Sequence, residues 1–283
     1  MVSPAEKSGI VGYKPTRNLI STEGLIHASK TLDTVGLLTR CVDDARLMLR
    51  EIIQHSTHHT TDSKQKLLQQ FNPACSTSEL KGLRISIPSS LPLFPSIHPA
   101  KLTAFTTALG ALENAGATLV HDITIAGYET YTALSPLQKN IILDTHMKLA
   151  IESYLSSLTT NLQNIHTLAD LIEFTQNCPG EEYPQRNTKV LERAVHTSPS
   201  DPAYLDMLAL DSTFSNGAGS IASALDAYKC DLLLIPGLDP VLQTFAAKAG
   251  SPILSIPIGI YPDTTEVVVD KGNGMVDVAP GIP

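Results

Sequence analysis

Leu83-Arg84-Ile85-Ser86-Ile87-Pro88, the segment from Pro99 to Ala115 and the segment from Thr118 to Ile125 together decide the fold class. The first alternates apolar and polar side chains, the pattern of a strand with one buried face. The second opens on a proline and closes at Gly116, the punctuation of a helix. The third again favours a strand. Strand, helix and strand joined by short links predict a parallel pair with a right-handed crossover.

Downstream, Asp231-Leu232-Leu233-Leu234-Ile235-Pro236 predicts a short buried strand, Val241 to Ala249 a helix stopped by Gly250, and Ile253 to Ile258 a strand interrupted by Pro257. Between the two ends, residues 129–228 are mostly helical by period. Ile141 to Leu158 predicts a long helix, and Thr167 caps another with apolar residues at 168, 171, 172 and 174. A loop is expected over 177–186. One further helix is expected over Pro202 to Tyr228, weakened by about 1 kcal/mol at each of Gly217 and Gly219.

Upstream, residues 8–16 suit a buried strand or tight bend, and apolar positions 42, 45, 49, 52 and 53 predict a helix over Val42 to Ile53. Residues 54–81 are polar, without a sustained period, and contain the Asn72-Pro73 break, so a surface excursion is expected there. There is no internal repeat. Strands alternating with helices at both ends predict an α/β class, a mixed β-sheet core covered by helices on both faces.

Composition supports a globular chain: 42% of the 283 residues are hydrophobic and 17% charged, enough to bury a large core. The net charge of −8 argues against nucleic acid as a partner, because an acidic surface repels phosphate. Cys41, Cys75, Cys178 and Cys230 are too few and too scattered for a disulfide framework and read as free thiols of an intracellular protein. Residues 1–10 lack an apolar export region, and no run reaches the roughly 18 apolar residues of a spanning helix. The expectation is a cytoplasmic chain with no membrane anchor.

Few residues invite chemistry. His55, His58 and His59 have helical spacing that could bring imidazoles to a metal, but Ser, Thr, Gln and Lys surround them and no second shell of carboxylates is evident, which favours a solvated loop. Gly217-Ala218-Gly219-Ser220 lies inside a helical pattern, with neither a strand before it nor a Lys-Ser/Thr after it, and so makes a poor phosphate loop. Asp43 and Asp44 point about 100° apart on a helix and fit a solvated first turn favoured by the helix dipole. Lys14, in an apolar segment, suits either a base of lowered pKa or a structural lysine held by backbone carbonyls. No Gly-x-Ser-x-Gly turn occurs.

Longer blocks are more informative. Ile10-Val11-Gly12-Tyr13-Lys14-Pro15-Thr16-Arg17, Ser21-Thr22-Glu23-Gly24-Leu25-Ile26, Thr31-Leu32-Asp33-Thr34-Val35-Gly36 and Thr39-Arg40-Cys41-Val42-Asp43-Asp44-Ala45 resemble the second half of the amidase signature and the segment just beyond it. Asp144 to Leu158 and Leu168 to Phe174 resemble the helical middle of fungal-type members. Cys230 to Pro236 and Ala249 to Gly259 resemble the late strands of that family. The likeness covers nearly the whole chain.

The resemblance implies hydrolysis of carboxamides by a nucleophilic serine, a bridging serine and a neutral lysine base, with backbone N–H groups receiving the oxyanion and with no metal or cofactor. Pro4 matches the proline of the family's Gly-Ser-aliphatic-Arg-x-Pro-Ala run, with Val2 in place of the arginine. The nucleophile stands four residues before that proline and thus one before Met1, with the bridge and base further upstream. Lys14 matches the Lys-Pro-Thr run and not the catalytic lysine. Val278 to Pro283 resembles the lead into a final Phe-Gly strand and helix.

Residues 1–283 are therefore expected to form a partial amidase signature domain, from an incomplete gene model or a decayed paralogue. It would hold no catalytic residue and be inactive alone. The alternative is a non-catalytic small-molecule-binding or subunit-interaction module. The full-length parent would take a small amide in a pocket walled by helices around Tyr128 to Glu173. Self-association through exposed sheet edges is expected of the chain by itself.

Overall fold

The computed structural model describes residues 2–71, 80–269, 274 and 276–283. The chain begins with helix α1 (Val2–Ser8), strands β1 (Val11–Lys14) and β2 (Leu37–Thr39), helices α2 (Val42–His55) and α3 (Thr61–Gln70) and strand β3 (Arg84–Ile87). Helices α4 (Leu93–Ser96) and α5 (Pro99–Asn114) lead to β4 (Thr118–His121). A helical stretch comes next: α6 (Gly127–Ala133), α7 (Pro136–Ser157), α8 (Leu168–Asn177), α9 (Lys189–Val195), α10 (Pro202–Ser215) and α11 (Ile221–Tyr228). Strand β5 (Leu232–Leu233), helix α12 (Pro240–Ala249), strand β6 (Ile253–Ser255) and the ribbon β7 (Val268–Val269) and β8 (Val276–Val278) complete the order.

The expected parallel pair forms: β3 runs parallel to β4, with Ile85 opposite Leu119, and on its other side parallel to β5, with Ile85 opposite Leu232. Ser86 is fully buried between them and its hydroxyl donates to the Leu232 carbonyl at 2.9 Å, which removes the cost of placing a hydroxyl in the sheet. Strand β1 lies antiparallel between β2 and β6. The α/β class with mixed pairing is thus realised, distributed among the described residues over two three-stranded sheets and the β7–β8 ribbon.

Strands end where their partners do. Asp122 adopts a left-handed conformation (φ 55°) and turns the chain away after β4, short of the Ile125 expected from sequence. Strands β5 and β6 are likewise shorter than their apolar runs, because β3 and β1 pair with only part of each. Helices α5 and α12 stop at Gly116 and Gly250, whose φ values of +100° and +72° suit a residue without Cβ.

Helix α2 buries Ala45, Leu49 and Ile53 against Val11, Ile20 and Leu37, leaving Val42 exposed at its first turn. Each of the larger side chains contributes about 1.5–3 kcal/mol through that burial. The excursion expected over 54–81 contains a helix, α3, whose Leu67 and Leu68, with Phe71, pack against the same cluster. Arg50 donates to the Leu68 carbonyl at 2.7 Å and Arg46 to the Phe71 carbonyl at 3.4 Å. These contacts cap α3 from another element, so no local period announces it. The Asn72-Pro73 break and Cys75 lie outside the described residues.

The helix expected over Pro202 to Tyr228 is two helices. Gly127 N–H donates to the Gly219 carbonyl at 3.2 Å, and a Cβ on Gly219 would fall 2.9 Å from the Gly127 Cα, so the chain turns where bare backbone is required. Ser220 then caps α11 through Ser223 N–H at 3.1 Å. Within the 177–186 loop, Pro179–Glu181 makes one 3-10 turn. Helix α9 is additional to the elements expected from sequence; Lys148 holds its end by donating to the Val195 and Thr197 carbonyls at 2.9 and 3.1 Å. Among the described residues no helix is long and apolar enough to cross a membrane.

Candidate functional site

A groove of about 610 Å³ opens between α1, α5, the segment 234–239 after β5 and the segment 253–261 that begins with β6. Its floor is the face of α5 that carries Ala100, Ala104, Ala108 and Ala111, spaced three and four residues apart, with Phe105 buried beside them. A volume of this size and an apolar lining are those of a site for a small organic molecule or a chain segment.

The charged groups at the groove, Glu6, Lys101 and Asp239, already have partners. Glu6 of α1 and Lys101 of α5 form a salt bridge, and Leu238 N–H donates to the same Glu6 oxygen at 3.4 Å. A Cβ on Gly237 would sit 3.0 Å from the Lys101 Nζ, so the segment passes close over this pair because position 237 has no side chain. Asp239, also buried, accepts from the Tyr128 hydroxyl at 2.7 Å and from Leu242 N–H at 2.9 Å, which starts α12. Burial, then the bond to Asp239 and its negative charge, push the Tyr128 phenol up to about 12. It remains a neutral donor. Tyr261 closes one end, edge-on to His98 with ring centres 5.0 Å apart.

Lys14 lies elsewhere. Its Nζ donates to the Ser251 carbonyl at 2.7 Å and to the Pro15 carbonyl at 3.3 Å, tying β1 to the segment before β6. Burial, with Arg17 nearby, lowers its pKa, but both contacts are to carbonyls, and a structural lysine is what the geometry supports. Asp43 and Asp44 occupy the exposed first turn of α2, Asp43 paired with Arg46 at 3.2 Å. His58 and His59 each place Nε2 on a backbone carbonyl, of Asn18 at 3.1 Å and of Leu19 at 2.7 Å, while His55 sits beside Glu51. No group of three or more His, Cys, Asp or Glu among the described residues could hold a metal ion.

One serine does meet an imidazole. Ser29 Oγ lies 2.9 Å from His146 Nδ1 on α7, while His146 Nε2 faces the Tyr204 hydroxyl of α10 at 3.1 Å. Burial lowers the imidazole pKa, with Asp211 and Lys248 acting on it in opposite senses. Ser29 is fully buried, so no substrate carbonyl reaches it, and the contact joins the loop after β1 to the helical layer. Neither this contact nor those of Glu6 with Lys101 and Tyr128 with Asp239 left a signal in the sequence, because the partners are 95 or more residues apart.

The chain is similar to known proteins. The family model described as Amidase matches residues 1–267. A protein of Arthroderma benhamiae named for an inferred amidase activity is 32% identical over 290 residues, covering 100% of this chain and 47% of its own length. A glutamyl-tRNA(Gln) amidotransferase component from Rickettsia bellii is 24% identical, covering 91% of this chain and 54% of its own. Among solved structures, the peptide amidase of Stenotrophomonas maltophilia superposes with a TM-score of 0.68 at 23% identity, over 92% of this chain and 54% of that one. The chain spans about half the length of the curated relatives it matches.

Proposed function

Because the chain belongs to the amidase family, we propose that it forms the pocket-side part of an enzyme that hydrolyses carboxamide C–N bonds. The observation that carries the proposal is the groove itself. Its walls are the two segments, 234–239 and 253–261, that continue the late amidase-like blocks, and its charged groups are paired off so that an apolar amide could enter without stranding a charge.

The Ser-Ser-Lys chemistry belongs in this proposal to the whole amidase domain. The three catalytic residues fall outside residues 1–283, and the chain alone is inactive. A hydroxyl nucleophile needs a base within about 3 Å, and the one described serine seen against an imidazole is sealed from solvent. Incubating the purified chain with a serine-reactive fluorophosphonate and with simple amides tests this. Neither labelling nor turnover above background is expected, and stoichiometric labelling would place a nucleophile inside these residues and overturn it.

A second reading, a non-catalytic module that works within a larger assembly, draws support from the relatives named as subunits of glutamyl-tRNA(Gln) amidotransferases. In both readings the chain by itself self-associates through unpaired sheet edges. A monodisperse monomer on sizing with light scattering would sink that part. Cys41, Cys178 and Cys230 are free thiols, which supports a reducing, cytoplasmic setting as part of the same proposal.

A further inference from the structure

Two ion pairs join α1 to other elements, and they differ in burial. Lys7 meets Asp277 of β8 with both side chains exposed, whereas Glu6 meets Lys101 of α5 with only 24% and 26% of theirs exposed. Lys101 stands in the first turn of α5, where the helix dipole disfavours a cation, so its place there depends on the Glu6 carboxylate. The segment after β5 is fitted to this pair. Leu238 N–H donates to Glu6 Oε1 at 3.4 Å, and a Cβ on Gly237 would lie 3.0 Å from Lys101 Nζ and 3.3 Å from that same oxygen. Ala5, beside Glu6, is fully buried, and Ile10 N–H donates to its carbonyl at 3.1 Å where α1 turns into β1. Glu6 is therefore the point at which α5 and residues 237–238 hold a helix of 7 residues, too short to keep an orientation of its own.

We propose that Glu6 and Lys101 are positioning residues: by fixing α1 they orient the nucleophilic serine of the amidase reaction. This rests on the function proposed above, in which that serine stands one residue before Met1 and so directly ahead of α1. From Glu6 to Val2 is about 6 Å along the helix axis, at about 1.5 Å per residue, so a tilt of about 10° moves the leading end by about 1 Å. A misplacement of that size costs an oriented reacting group about 100-fold in rate. The exposed pair of Lys7 with Asp277 cannot replace the anchor, because solvent screens it. Glu6 and Lys101 act through α1 and not on the substrate. Both also line the groove, so KM is the quantity that separates positioning from direct contact with the amide.

The test uses the chain by itself and a hybrid in which its 283 residues replace the 290 matched residues of the Arthroderma benhamiae relative. In the hybrid, Glu6→Gln and Lys101→Gln should each lower kcat for a simple amide at least tenfold and leave KM within twofold. The double variant should fall no further than either single one, because the two side chains act as a unit. Lys7→Gln, which breaks the exposed pair on the same helix, should keep kcat within twofold of the parent. In the chain by itself, amide hydrogen exchange over residues 6–10 should quicken at least tenfold in Glu6→Gln and stay at the parent rate in Lys7→Gln. Unchanged kcat in the Glu6 and Lys101 variants, a raised KM at unchanged kcat, or an equal loss in Lys7→Gln overturns the inference. Unchanged exchange over 6–10 in Glu6→Gln does so too. A parent hybrid without hydrolysis, beside quickened exchange in Glu6→Gln, removes the proposed function and leaves the pair as the anchor of α1.

Discussion

Gly127 and Gly219 meet backbone to backbone: a Cβ built on Gly127 would lie 2.5 Å from the Gly219 carbonyl oxygen, to which Gly127 N–H donates. This contact seats the start of α6 on the turn between α10 and α11, beside the aromatic cluster of Tyr131, Phe214 and Phe245. Gly127→Ala should cost about 1–3 kcal/mol, the range for overfilling a packed site. Gly110, inside α5 with no atom within 4 Å of a would-be Cβ, is the control. Gly110→Ala should stabilise by up to about 1 kcal/mol. Thermal melts of the two variants check the opposite signs.

The carboxylate of Asp144 is fully buried on α7 and accepts two bonds from Arg193 of α9, one of them at 2.8 Å from Nη2. That pairing also raises the Arg193 pKa. Arg193→Met leaves a charge buried without a partner and should cost about 3 kcal/mol. Asp144→Asn keeps an acceptor, and the guanidinium, 40% exposed, can turn to water, so roughly 1–2 kcal/mol is expected. Urea unfolding of both variants would show the reverse order if the buried carboxylate were not what needs the pair.

His146 links Ser29, Thr31 and Tyr204, and its folded pKa lies below the usual 6.5 because burial outweighs the help of Asp211. The unfolded chain therefore binds more protons just below pH 6.5, and stability should rise with pH through that window and level off above it. In His146→Gln the slope should diminish. A melting temperature of that variant with the parent's pH dependence between about 5 and 7 would exclude the role.

Thr167 and Asp170 cap α8 reciprocally: Asp170 N–H donates to the threonine hydroxyl at 3.1 Å and Thr167 N–H to the carboxylate at 2.9 Å. The N–H groups of His166 and Thr167 hold the Asp170 carboxyl below its usual range. Thr167→Ala should cost about 1 kcal/mol. The contribution of Asp170 is present above pH 3.8 and fades as acid protonates it, so Asp170→Asn should flatten the acid limb of the stability curve, measured by circular dichroism.

What the sequence determined by itself is local or short in range. Alternation at Leu83 to Pro88, the proline and glycine that bracket α5, and the Thr167 box each act within a few residues, and a strand, a helix or a cap results from them whatever lies far along the chain. The long motif blocks near Ile10 and Ala249 carried the family. Tertiary structure alone decided the rest. Helix α3 exists where a polar stretch has no period, because Arg46 and Arg50 supply its terminal partners and α2 its apolar contact. The break at Gly217–Gly219 results from Gly127, about 90 residues earlier, and Lys14 stays structural because Ser251 offers its carbonyl. The groove could not be read in advance at all. It arises where the segment after β5 and the segment beginning with β6 come to lie beside α1 and α5, elements far apart along the chain that only the folded structure brings together.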